Sequence, residues 1–179
     1  MIRSRNGHKY VITYNGELYN TFDLRRRLES RGYAFQSSSD TEVLLVSYIE
    51  WGPECVGHLN GIFAFGIWSE KERSLFLGRD RFGVKPLFYA LRGNSLLFAS
   101  ELKALLAHPL IEPRLDAEGL AEVFALGPAR TPGHGVFKDV FEVKPAYCLT
   151  FNSEGLSLGR YWSFDSHPHE DSFDETVSR

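Results

Sequence analysis

The segment from Val11 to Glu42 constrains this chain most, because a strand, an Asn-Gly pair and two helix starts follow one another within it. Tyr10 to Tyr14 is β-branched and aromatic, reads as a strand, and stops at Asn15-Gly16. An Asn-Gly pair usually reverses the chain. Here a helix follows instead, with Asn20 where a cap belongs, Asp23 in the first turn, and Tyr19 and Leu24 at the positions of a hydrophobic staple. The other pair, Asn6-Gly7, lies between Ile2–Arg5 and His8–Tyr14 and is the one expected to make a hairpin. Asn15-Gly16 is therefore expected to form a corner between strand and helix. Its side-chain amide and its unshielded Gly16 N–H are donors of the kind that hold a developing oxyanion. An ordinary bend before a helix would carry the same residues.

Beyond this segment, Ser39 to Glu42 spells a capping box opening a second helix, which carries Val43, Leu44, Val46 and Ile49 toward a core and ends at Gly52-Pro53. Asp40 falls in its first turn, where a negative charge complements the helix dipole. The helix from Asn20 is expected to reach about Arg31 and stop at Gly32. From Gly61 the period changes: Ile62–Trp68 with Ser74–Arg79, and Pro86–Leu91 with Ser95–Ala99, read as hairpins whose nearly continuous apolar runs should be covered on both faces. Gly78 to Pro86 is basic but leads into a strand rather than a helix, so it is read as a strand connection, not a phosphate cradle. Short helices are expected at Glu101–His108 and, capped by Asp116, up to Leu126, where Gly127-Pro128 stops the chain. Short strands follow near Val136–Phe137, Tyr147–Phe151 and Leu156–Trp162. Ser163 to Arg179 is polar and acidic, like a linker.

Composition supports one domain: 179 residues with 43% hydrophobic content can bury a substantial core. With 20 basic and 23 acidic residues and no basic run, nucleic acid is not an expected partner. No apolar run is long enough to span a bilayer and the first residues lack a signal-peptide core, so a cytoplasmic location without membrane contact is expected. Cys55 and Cys148 do not make a disulfide framework and read as packing residues. Cys55 with His58, and His167-Pro168-His169, lack a second pair at ligand spacing, so no metal site is expected.

Five blocks in order carry a resemblance: Tyr14 to Asn20, Ser38 to Glu42, Asn60 to Phe65, Gly78 to Leu87 and Ala99 to Leu105. Together they resemble the class II glutamine amidotransferase domain of glutamine-hydrolysing asparagine synthetases. That resemblance implies an α+β fold, a four-layer αββα sandwich of two antiparallel sheets with flanking helices, of the N-terminal nucleophile hydrolase class. It implies L-glutamine as substrate, an oxyanion hole from Asn15 and Gly16, Glu17 against the bound glutamine, and Asp40 on its α-amino group. The family's nucleophile is a Cys at residue one. The sequence starts Met1-Ile2-Arg3, so the fold is expected to be incomplete at its N-terminus and the chain inactive as it stands. Residues 1–162 would be the amidotransferase-like domain, and 163–179 a linker toward a synthetase domain. ATP and magnesium would serve that synthetase domain, which converts aspartate to asparagine, and no cofactor is expected in this chain. Two alternatives stay open: a glutaminase for another acceptor, a sugar phosphate or phosphoribosyl diphosphate, and a non-catalytic glutamine-binding or interaction module. An exposed sheet edge would also favour a homo-oligomer. A solution mass measurement is expected to report more than one chain per particle; a stable monomer with intact secondary structure contradicts this.

Overall fold

The structure is a computed structural model that describes residues 1–127 and 129–178. Asn6 and Gly7 have φ of 51° and 80°, the positive pair that a tight hairpin needs. They join strand β1 (Ile2–Arg5) to β2 (His8–Leu18). β2 does not end at Tyr14. It runs through Asn15, Gly16 and Glu17 to Leu18, paired throughout with β3 (Gly61–Ser69), so that Asn15 faces Ala64 and Gly16 faces Phe63. The expected corner is thus displaced to Tyr19-Asn20, just before helix α1 (Thr21–Glu29).

The physical reason lies in two glycines. A Cβ on Gly16 would stand 2.2 Å from the Ile62 carbonyl oxygen, and one on Gly61 would stand 2.2 Å from that of Glu17. Glycine here permits close approach of two strands rather than a reversal. Asn20 precedes α1 but makes no side-chain cap. Its amide instead donates to the His58 carbonyl at 2.9 Å and accepts the Asn60 N–H at 3.0 Å, tying the start of α1 to the start of β3. Tyr19 is exposed rather than closing a staple over buried Leu24. α1 ends at Glu29, slightly before the expected Arg31, and Gly32 has φ of +86° in the turn that follows.

Helix α2 (Asp40–Trp51) starts at Ser39, whose hydroxyl accepts the Thr41 N–H at 3.1 Å. A 3-10 turn over Gly52–His58 leads into β3. β3 continues through β4 (Ser74–Arg79); β5 (Phe88–Arg92) and β6 (Ser95–Ala99) form the next hairpin. Helices α3 (Leu102–Leu106) and α4 (Ala117–Leu126) follow, α4 capped as expected by Asp116 on the Gly119 N–H at 2.9 Å. Pro128, read as part of its stop, lies outside the described residues. Val136–Phe137 is not a strand; the short strand β7 is Phe141–Glu142, held against β5. β8 (Tyr147–Asn152), β9 (Gly155–Arg160) and a last helix α5 (Phe173–Ser178) complete the elements.

All strand pairings are antiparallel, in one sheet of order β1-β2-β3-β4-β8-β9 and another of order β6-β5-β7. Three apolar clusters separate the layers. Leu24 and Leu28 of α1 and Val43, Leu44 and Val46 of α2 pack with Ile12, Phe63, Phe65 and Phe76. Ala64, Leu77 and Leu149 meet Leu87, Tyr89 and Val143 between the sheets. Phe88 and Ala90 meet Leu105 beneath α3. Alternate residues of β3 and β5 thus serve different cores, which is why these strands read as continuous apolar runs. The arrangement is the four-layer αββα sandwich.

Glu42 does not complete the capping box. It turns inward, 2% exposed, where it accepts the Gln36 N–H at 2.9 Å and the Ser37 N–H and hydroxyl at 2.7 Å each, and pairs with Arg3. Burial opposes its charge, but the Gln36, Ser37 and Arg3 contacts outweigh burial and hold its pKa below the ordinary glutamate value. A depressed folded-state pKa contributes stability that is present above the unfolded-state value and lost as pH falls through the folded one. Glu42→Gln is therefore expected to lower the unfolding free energy by about 3 kcal/mol at pH 7, since it strips a buried pair of one partner, and to flatten the acid limb of the stability curve. Urea titrations of both proteins from neutral to acid pH check this; parallel curves contradict it.

Candidate functional site

The ladder between β2 and β3 decides which backbone groups remain available. Beyond the strands, the Tyr19 N–H still donates to the Asn60 carbonyl at 2.8 Å. Hydrogen-bonded and non-hydrogen-bonded pairs alternate along an antiparallel ladder, so Gly16 and Phe63 exchange no bonds. Phe63 agrees: its N–H donates to Asp80 Oδ2 at 3.2 Å and its carbonyl accepts the Asp80 N–H at 2.8 Å, both away from β2. The Gly16 N–H therefore points away from β3. On that other edge, the bonds to β1 run only as far as Ile12, which exchanges a pair at 2.9 Å with Met1. The Gly16 N–H thus has no backbone partner among the described residues.

Leu18 presents its N–H on the same edge and donates it to Asp40 Oδ2 at 3.2 Å. The Tyr14 hydroxyl donates to the same oxygen at 2.8 Å. Asp40 sits at the first position of α2, fixed there by the Ser39 cap, and is partly buried with no cationic partner among the described residues. A strand advances about 3.3 Å per residue, so the Gly16 and Leu18 N–H groups are about 7 Å apart along one edge.

The Asn15 side chain lies on the opposite face of β2 from Tyr14, as a period of two requires. It is exposed and borders a cavity of about 170 Å³ between the sheets, together with Thr13, Ala99 and Ser100. Glu17 shares that face and is exposed. Asn15, Gly16 and Glu17 are thus consecutive in β2, and Asp40 meets the same strand at Tyr14 and Leu18, while the Asn15 and Glu17 side chains stand on the opposite face from Tyr14. A larger depression of about 820 Å³, around Trp68, Arg73, Asn94 and Asn152, lies at the other end of β3 and contains none of them.

The segment Gly78 to Pro86 supports this edge from beneath. Asp80 is 1% exposed; its Oδ1 accepts the N–H groups of Phe82 and Val84 at 3.1 and 3.0 Å, and its Oδ2 those of Phe63 and Lys85 at 3.2 and 2.9 Å. Arg79 donates to the carbonyls of Gly83, Lys85 and Val143 and pairs with Glu142 at 3.0 Å, so it ties β4 to β7 of the other sheet. A loop that reads as basic is wound around an acid, and that acid holds the residue opposite Gly16.

Neither cysteine reaches the site. Cys55 is fully buried and burial pushes its thiol well up; Cys148, in β8, is half-buried and shifted up by the same cause. Tyr14 is the site residue that sequence reasoning missed. Tyr10, Ile12 and Tyr14 share one face of β2, the face α2 covers, but that parity reaches the site only once β2 is known to pass Tyr14.

Residues 2–162 match the profile of the glutamine amidotransferase domain family. The chain is 59% identical over 172 residues, 96% of its length, to asparagine synthetase [glutamine-hydrolyzing] 3 of Bacillus subtilis. It is 36% identical over 94% of its length to asparagine synthetase [glutamine-hydrolyzing] 1 of the same species. It spans only 28% and 26% of those relatives. Among solved structures, the glutamine phosphoribosylpyrophosphate amidotransferase of B. subtilis aligns with a TM-score of 0.60 and 26% identity over 89% of this chain and 30% of that one. Gly16→Ala is expected to lower stability by about 2 kcal/mol or more, because its Cβ meets backbone rather than a yielding side chain. Thermal or urea unfolding checks this, and an unchanged midpoint contradicts it.

Proposed function

The chain belongs to the glutamine amidotransferase domain family, and from that premise we propose that it carries the glutamine-binding, oxyanion-stabilising part of an ammonia-donating domain of an asparagine synthetase. One observation carries the reading. A carboxylate without a cationic partner among the described residues, Asp40, is bound to the Leu18 N–H, two residues along the same strand edge from the Gly16 N–H. Asp40 takes the α-ammonium. The side-chain carbonyl of glutamine lies at Gly16, where the peptide N–H and the Asn15 amide stabilise the oxyanion that forms when a nucleophile adds to it. Glu17 borders the bound molecule. Collapse of the tetrahedral species expels ammonia, and water releases glutamate. The attacking group is neither Cys55 nor Cys148, whose thiols are raised and turned into the protein.

Identity of 59% to a glutamine-hydrolysing asparagine synthetase supports aspartate as the final acceptor, with asparagine as product. The 26% identity to the phosphoribosylpyrophosphate enzyme gives that acceptor weaker support. The proposal places ATP and magnesium outside this chain, in the part of the relatives that it does not span. Titration calorimetry is expected to detect glutamine binding by the 179-residue chain, weakened about tenfold or more in Asp40→Asn, since the loss removes a charge-assisted contact. The same chain alone is expected to release no ammonia from glutamine. Unchanged binding in Asp40→Asn, or ammonia release abolished by Cys55→Ser, contradicts the assignment.

A further inference from the structure

We propose that Tyr14 is the positioning residue that aims Asp40 at the α-ammonium of the substrate, and so sets the preference of this site for amino acids over amides that lack an amino group. The inference rests on the glutamine reading above and adds to it a residue and a selectivity. Asp40 Oδ2 receives both of the hydrogen bonds made to this carboxylate, from the Tyr14 hydroxyl at 2.8 Å and the Leu18 N–H at 3.2 Å. Its Oδ1 receives none from the described residues. A carboxylate held through one oxygen has its plane and direction fixed, and the other oxygen is left to a ligand. Both donors belong to β2, the Leu18 N–H from its edge and the Tyr14 hydroxyl from the face that α2 covers, so the two fix the carboxylate from different directions.

The hydroxyl is built for donation. Burial first, and then the bond to Asp40, drive the Tyr14 pKa far above its ordinary value, so the proton stays on Tyr14 across the working pH range. No cation competes for the carboxylate among the described residues, and the ring of Tyr14 packs against the first core. Phenylalanine at this position keeps that packing and removes only the donor. Without it, Asp40 is held by the Leu18 N–H alone and turns about its side-chain torsions, so the ammonium loses its oriented partner while the rest of the ligand keeps its contacts.

The test compares glutamine with 4-carbamoylbutanoate, the same molecule without the amino group, in NMR titrations of the full chain and of Tyr14→Phe, with thermal unfolding as a folding control. Tyr14→Phe is expected to weaken glutamine about tenfold and to leave 4-carbamoylbutanoate within about twofold of the parent protein. Equal weakening of both ligands overturns the proposal and makes Tyr14 a general support of the fold. Unchanged affinity for glutamine overturns it as well. If the parent protein itself fails to prefer glutamine over the amino-free analogue, the Asp40 reading falls and this inference falls with it; a preference lost in Asp40→Asn but kept in Tyr14→Phe defeats the inference alone.

Discussion

The register between β2 and β3 is the constraint from which the rest follows. Gly16 and Gly61 face backbone across the ladder at distances no side chain could occupy, and this keeps two strands paired through the Asn-Gly pair. Once paired so, alternation leaves every second peptide of β2 facing away from β3. The Gly16 and Leu18 N–H groups are two of these, and α2 brings Asp40 to the second. The proposed binding edge thus arises from parity, and the same rule puts the Asn15 side chain on the opposite face of β2 from Tyr14. No loop has to be held in a strained form to make it.

Around that edge, buried charge does more than the helix ends do. Asp80 gathers four peptide N–H groups and fixes Phe63, the partner of Gly16. Arg79 and Glu142 connect the two sheets beside it. Glu42 joins α2 to β1 and to the segment before it. Each carboxylate is satisfied by several donors, the condition under which burying a charge does not destabilise a fold. Asp40 differs because its bonds leave one oxygen without a donor among the described residues.

Much of this was legible in the sequence. The hairpin at Asn6-Gly7, the helix from Ser39 to Gly52 and the paired apolar strands after Gly61 follow from local chemistry and period. The four-layer order and the candidate residues Asn15, Gly16, Glu17 and Asp40 came through the five resembling blocks; the structure bears out the layers and puts the first three in β2, which Asp40 touches at Tyr14 and Leu18. The corner at Asn15-Gly16 was not legible, because an Asn-Gly pair that turns and one that permits close approach look alike until the opposing strand is known. Tyr14 was hidden by the same error, since its face of β2 matters only if the strand continues. The Glu42 hub was mistaken for half of a capping box because both uses place Glu at that position, and its partners Arg3 and Gln36 are distant or unpatterned. Val136–Phe137 looked like a strand from composition, yet Val136 has φ of 68°, which a strand does not accommodate.

The proposed function depends on the Gly16 N–H, without a backbone partner among the described residues, taking a substrate carbonyl. Residue-resolved amide hydrogen exchange tests it most directly. Slow exchange is expected at Asn15 and Glu17, whose N–H groups lie in the ladder, fast exchange at Gly16 between them, and slowing at Gly16 when glutamine is added. A Gly16 amide as protected as its neighbours without ligand, or one indifferent to glutamine, would contradict it.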